Sequence, residues 1–151
     1  MKTTEQYGKK ADRALSTWVK LARASATLGK LSRENIESFG LTEPQFGVLE
    51  VLGHLGPITL GQLSKKRLVS GGNITCVVDN LEKEGLVERI PSKEDRRAID
   101  VRLTDKGREL FVRIFVQHAE CITNLVSVLN ETEQEQLGYL CKKLGTALHK
   151  E

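Results

Sequence analysis

The sequence predicts a mainly α-helical fold with one small β-hairpin, an α+β class with long helices at both ends of the chain. Three observations predict this class. Helix-start motifs recur at short intervals between residues 41 and 74. The apolar pattern then changes from helical spacing to alternation between residues 86 and 103. Apolar stripes of helical spacing occupy both terminal segments.

The bulk composition indicates one soluble domain over residues 1–151, because 39% of the residues are hydrophobic and 28% are charged. Charges interrupt every apolar run before it reaches membrane-spanning length. The polar start lacks the apolar stretch of a signal peptide, so we expect a cytoplasmic protein with no membrane partner. Cys76, Cys121 and Cys141 are odd in number and far apart, which argues against a disulfide framework and suits a reducing compartment.

The central segment contains three closely spaced helix starts. Thr42 with Gln45, and Thr59 with Gln62, have the spacing of a capping box, and Ser70 is a third candidate cap. Starts this close together predict three short helices, at about 43–54, 60–66 and 71–84.

A β-hairpin is predicted after the third helix. The segment 86–90 is short, contains β-branched residues and is followed by Pro91. In residues 99–103, apolar and polar residues alternate. The charged residues 92–97 form the tip between the two strands. A short turn at residues 67–70 joins the preceding helices, so residues 41–104 are predicted to be a winged helix-turn-helix.

The terminal segments, 4–38 and 105–150, are predicted to be dimerisation helices. Thr104 caps a helix that runs to about Leu129, and either Asn130 or Thr132 starts the last one. These helices carry apolar stripes but have no domain of their own to cover. We therefore expect a second copy of the chain to cover them in a homodimer.

The segment 41–107 resembles the MarR family of regulators. The resemblance is carried by the run from Ser70 to Val87, by Asp95-Arg96-Arg97 and by Leu103-Thr-Asp-Lys-Gly107. It implies a homodimer with two winged heads, each binding one half-site of a pseudo-palindromic DNA operator. It also implies regulation, usually repression, relieved by a small ligand or by thiol oxidation. The tract 68–75 is similar to branches that respond to phenolic, quinone or oxidant stress.

Double-stranded DNA is thus the expected partner, with the third helix in the major groove and the wing tip in the minor groove. Residues 51–78 contain no acidic residue, which favours this surface. Asn73 is predicted to read adenine, with a plain helix-start role as the alternative. Many relatives carry Arg at the positions of Cys76 and Asn80, so base preference cannot be copied from them. The candidate DNA-binding residues are Lys65, Ser70, Gly72, Asn73, Thr75, Cys76, Lys93 and Arg96.

Two further candidate features accompany the DNA surface. The resemblance implies that Asp95 and Arg97 form a salt bridge that supports the wing. A pocket for a small aromatic ligand would lie between the dimerisation helices and the winged head, with plain core packing as the alternative. Its candidate lining residues are Trp18, Phe39, Phe46, Phe111 and Phe115.

Cys76 is a candidate redox residue, because it lies near a helix N-terminus and basic residues. Against this, oxidant-sensing relatives usually keep their reactive cysteine in the N-terminal helix, where this chain has none. His118 and Cys121 lie one turn apart without a second ligand pair, so no metal and no cofactor is expected. No catalytic motif is present, and we predict no enzyme. The alternatives are a winged-helix module that binds protein and a thiol-based redox protein.

Overall fold

The computed structural model describes residues 4–66, 73–95 and 97–148. In this part of the chain a 3-10 turn at Glu5–Tyr7 is followed by helices and strands in the order α1 Lys9–Glu37, α2 Glu43–Leu55, β1 Ile58–Thr59, α3 Leu60–Lys66, α4 Ile74–Lys83, β2 Val87–Pro91, β3 Ile99–Leu103, α5 Asp105–Val126 and α6 Glu131–Leu148. None of the described helices has the length and apolar character needed to cross a membrane.

Reciprocal side-chain caps start α2, α3 and α6. The Thr42 hydroxyl accepts from the Gln45 amide N–H, while Gln45 accepts from the Thr42 N–H at 2.9 Å. Thr59 and Gln62 make the same pair of bonds at the start of α3. Asn130 and Glu133 make it at the start of α6, which decides between the two predicted starts. These boxes satisfy backbone donors that a helix leaves unpaired, so they fix where each helix begins.

The recognition-type helix α4 begins later than predicted. Its N-cap is Asn73 and its first residue is Ile74, where the sequence suggested a start at about residue 71. The candidate residues Ser70 and Gly72 lie outside the described residues, as does Arg96 in the wing.

The sheet is antiparallel, with strand order β1-β3-β2. β2 and β3 form the predicted hairpin, in which Val87 pairs with Leu103 and Pro91 with Ile99. The sequence analysis missed β1, whose Ile58 pairs with Val101 of β3. This two-residue strand immediately precedes α3 and joins the start of that helix to the wing.

The core lies between α2, α4, the sheet and the first half of α5. Branched aliphatic residues fill most of it, because the chain has few aromatic residues. The fully buried side chains are Val48, Leu49, Leu52, Leu63, Val78, Leu81, Val87 and Val101.

Large apolar side chains are left exposed on the terminal helices. No residue of α6 is buried, and its exposed apolar side chains include Leu137, Leu140, Leu144 and Leu148. On α1, Leu15 and Trp18 are also exposed. The two helices therefore carry apolar surface that the described part of this single chain does not cover.

Candidate nucleic-acid interface

Helix α4 has one buried face and one exposed polar face. Val78 and Leu81 are fully buried on the first, with Ile74 and Val77 packed against the core beside them. Helical spacing then turns the remaining side chains outward. The exposed side chains are Asn73, Thr75, Cys76, Asn80 and Lys83.

An ion cluster links α4 to the wing. The Arg89 guanidinium of β2 donates to the Asp79 carboxylate at 2.6 Å and forms an ion pair with Glu82. The Arg89 backbone N–H also donates to Glu82, at 3.2 Å. The hydrogen bond that Arg89 donates to Asp79 is the main reason that the pKa of Arg89 lies above its ordinary value. The cluster gives both acidic side chains the same cationic partner and fixes the helix against the strand.

The predicted base-reading residue Asn73 is engaged in the helix cap. Its side-chain oxygen accepts from the Thr75 N–H at 3.0 Å, which is the geometry of an N-cap. The helix-start role that the sequence left as an alternative is therefore the one observed for this oxygen. Further along the exposed face, the Asn80 amide nitrogen lies 3.9 Å from the Cys76 thiol sulfur.

Two further candidate DNA-binding residues, Lys65 and Lys93, lie before and after α4 in the chain. Lys65 is exposed at the C-terminal end of α3, together with Lys66. Lys93 is exposed in the wing tip. A cation at each of these places has the exposure that a phosphate contact requires.

Asp95 supports the wing through the backbone instead of through an ion pair. Its carboxylate accepts from the Arg97 backbone N–H at 2.9 Å. The Asp95–Arg97 salt bridge that the resemblance implied is not among the ion pairs of residues 4–66, 73–95 and 97–148. A short polar side chain that bonds the amide two residues on forms a turn by itself, so Asp95 shapes the tip without the guanidinium.

The five candidate ligand-pocket residues are divided between the core and the exposed surface of α1. Phe46 and Phe111 are buried in the core, with Phe39 and Phe115 packed against it, whereas Trp18 is 64% exposed on α1. Three cavities of about 430–480 Å³ are lined by other described residues, beside α5, beside the wing and along α1.

The side chain of His118 joins helices α1, α2 and α5. His118 of α5 lies over the Phe46 ring of α2, with the ring centroids 4.6 Å apart. Its Nδ1 is 2.8 Å from the Asn35 side-chain oxygen of α1. Since an amide oxygen only accepts, we assign the hydrogen to Nδ1. Burial lowers the pKa of His118 below its ordinary value, and the Glu50 carboxylate opposes part of that change.

The Leu-Thr-Asp-Lys-Gly motif anchors α5 to the turn after α4. The Thr104 hydroxyl donates to the Gly85 carbonyl at 2.6 Å and accepts from the Gly107 N–H at 3.0 Å. The Lys106 ammonium donates to the Glu84 carbonyl at 2.7 Å. Gly107 lies so close to the Leu86 carbonyl that a Cβ would overlap it. The motif thus holds the start of α5 against the turn between α4 and β2.

Sequence reasoning missed Arg89 and the Asn35–His118 pair. Arg89 lies 10 residues from Asp79, and Asn35 lies 83 residues from His118, so neither contact has a local pattern. A signal for Arg89 was present, because a charged residue on a half-buried strand requires a partner.

The helix pair α3–α4, its hairpin and the polar outer face of α4 define a winged helix-turn-helix, the architecture of a class of DNA-binding heads. The sequence model of the MarR family matches residues 41–99. The transcriptional regulator MhqR of Bacillus subtilis is 37% identical over 134 residues, which cover 89% of this chain and 92% of that protein. The transcriptional repressor MdtR of the same organism is 30% identical, covering 76% of this chain and 74% of that protein.

A solved structure is similar over most of the chain as well. It is a mutant MarR of Escherichia coli complexed with operator DNA, with a TM-score of 0.73 and 27% identity, covering 88% of this chain and 96% of that one. The chain belongs to the MarR family, and the relatives named here are transcriptional regulators.

Proposed function

We propose that this protein is a transcriptional repressor that binds a pseudo-palindromic duplex operator as a homodimer. Helix α4 enters the major groove of each half-site, and the wing tip enters the adjacent minor groove. The observation that carries the proposal is the outer face of α4, which is polar and exposed while its acidic residues are paired by Arg89. Such a face approaches a polyanion without repulsion from unpaired carboxylates.

The similarity to the MarR structure that contains operator DNA supports duplex DNA as the ligand of this chain. Lys65, Lys66, Lys83 and Lys93 flank or follow the polar face and would contact phosphates. Phosphate contacts add affinity and salt dependence but carry no base information.

The homodimer is supported by the uncovered apolar stripe of α6 and by Leu15 and Trp18 on α1. A pseudo-palindrome presents the same half-site twice, so a two-fold dimer matches its symmetry. We propose that residues 4–38 and 105–150 form this dimer, and that residues 41–104 form the DNA-binding head.

We further propose that a small phenolic or quinone-like ligand, or an oxidant, releases the repressor. The exposed thiol of Cys76 lies on the DNA-facing side of α4, so its oxidation or alkylation would place bulk against the groove. The contacts of α2 with Phe111, Phe115 and His118 of α5 support the ligand route, because a molecule wedged there would move the head relative to the dimer.

The test is binding to labelled duplex DNA from upstream of the protein's own gene, with a scrambled duplex as control, at about 50 and 200 mM salt. Tighter binding to the upstream duplex, weakening steeply with salt, is the expected result. The titration is repeated with a quinone and with a peroxide, for the wild-type protein and for the Cys76→Ser variant. If the Cys76 thiol carries the signal, peroxide should release the wild-type protein from DNA but not the variant.

Equal weak binding to both duplexes is followed by selection from random duplexes. If that selection yields no preferred sequence, the proposed repressor activity is wrong, and a head that binds protein becomes the better explanation.

A further inference from the structure

We propose that Asn80 is the residue of α4 that specifies one base pair in each half-site, and that it selects adenine. This inference rests on the proposed DNA-binding function and names a specificity residue within it. Asn80 was not among the DNA-binding candidates predicted from the sequence, because it was noted there only as a position where many relatives carry Arg.

The side chain of Asn73 is engaged in the N-cap of α4. An asparagine reads adenine with both ends of its amide at once, because the amide nitrogen donates to N7 and the amide oxygen accepts from the N6 amino group. The Asn73 oxygen already accepts the Thr75 N–H at 3.0 Å. Bidentate reading would break this cap and leave a helix donor unpaired, so Asn73 is a capping residue.

Asn80 lies on the exposed side of α4. Seven residues, or about two turns, separate Asn80 from Asn73, so both project from the same side of α4. Asn80 is exposed, and Cys76 lies one turn before it on that side. The amide nitrogen of Asn80 lies 3.9 Å from the Cys76 sulfur. Because sulfur is a weak acceptor, this contact would not prevent the amide from turning to bind a base.

The side chains near Asn80 on α4 are less suited to reading a base. Asp79 would accept from cytosine, but its carboxylate is held by Arg89 at 2.6 Å. Lys83, one turn further, is a flexible point charge suited to phosphate. Thr75 has a hydroxyl that both donates and accepts, and it therefore discriminates bases poorly. Among the described side chains on the outer face of α4, Asn80 is the one whose amide makes only a weak contact within the protein. That amide carries a donor and an acceptor in a fixed relative position.

The experiment compares the same substitution at both asparagines. The full-length protein, Asn80→Ser and Asn73→Ser are each used to select from random duplexes, and the selected sequences are checked by titration. Serine is a good N-cap but lacks the amide. We expect Asn80→Ser to lose preference for adenine at one position of each half-site, by about 10- to 100-fold. Asn73→Ser should keep the complete wild-type preference.

The isosteric Asn80→Asp variant gives a second readout that does not depend on a loss. A carboxylate accepts from the cytosine amino group, so the preference at that same position should change from adenine to cytosine. Unchanged base preference in Asn80→Ser, or a uniform loss across all duplexes, would overturn the inference. A flattened position in Asn73→Ser would overturn it too. If the wild-type protein selects no sequence at all, the proposed function itself fails.

Discussion

At the scale of single residues, the lack of a Cβ at Gly107 allows α5 to pack closely against the Leu86 backbone. The Gly107 Cα lies against the Leu86 backbone, so alanine there would push α5 away and break the bonds from Thr104 to Gly85 and Leu86. We expect Gly107→Ala to lower the free energy of unfolding by roughly 1–3 kcal/mol, although alanine is the better helix former. Urea denaturation followed by circular dichroism measures this change.

Gly61→Ala is the matched control. Gly61 also lies in a helix, but a Cβ there would meet only the Thr59 hydroxyl at 3.9 Å, which is ordinary contact. We expect this variant to be neutral or more stable by up to about 1 kcal/mol. Equal effects of the two substitutions would show that the contact with Leu86 is not what requires glycine at residue 107.

At the scale of elements, Arg89 connects the recognition-type helix to the wing. Replacing it with methionine keeps an unbranched apolar stem but removes the guanidinium and its ion pairs with Asp79 and Glu82. We expect Arg89→Met to lose about 1–2 kcal/mol of unfolding free energy, because hydrogen bonds to charged groups exceed neutral ones in strength. The two unpaired carboxylates on α4 should also weaken binding to every duplex, which titration against selected and scrambled DNA measures.

Arg102→Met provides the comparison within the same sheet. Arg102 pairs with Glu88 at 2.8 Å, but both side chains are close to half exposed. Exposed pairs contribute little, so we expect a loss below about 1 kcal/mol and less effect on DNA binding than Arg89→Met. A larger effect at Arg102 than at Arg89 would contradict the role assigned to the cluster.

Elements with a local chemical signal were predictable from the sequence, and those held by distant contacts were not. The boxes at Thr42 and Thr59 predicted the starts of α2 and α3, since each box closes over three residues. The start of α4 was placed too early, because Ser70 and Asn73 both have the chemistry of a cap and spacing alone does not choose between them.

The strand β1 had no signal of its own. Two residues are too short for an alternating pattern, and they form a strand because Val101 of β3 pairs with Ile58. The same reasoning applies to the candidate site, because the pairing of the α4 carboxylates with Arg89 exists only when β2 folds back against that helix.

At the scale of the whole molecule, α6 carries an apolar stripe that the described part of one chain leaves exposed. Leu137, Leu140, Leu144 and Leu148 share one side of it and are all exposed. Burying a leucine side chain contributes about 1.5–3 kcal/mol, so a partner that covers this stripe gains substantial free energy. A second copy also doubles the DNA-contacting surface, because each copy brings its own α4 and wing. Dimerisation and operator affinity should therefore be lost together.

The variant Leu140→Glu tests this coupling by placing a charge in the middle of the stripe. We expect it to sediment as a monomer in analytical ultracentrifugation, since an unpaired carboxylate is costly to bury in an interface. Its affinity for a duplex with two half-sites should fall by at least about 10²-fold, because the second head no longer binds as a linked partner. Thr146→Glu adds the same charge on the opposite side of α6, about half a turn away from the stripe, and should remain dimeric with normal affinity. A dimeric Leu140→Glu protein would show that another surface joins the copies, and a monomer with unchanged affinity would show that one head is sufficient to hold the operator.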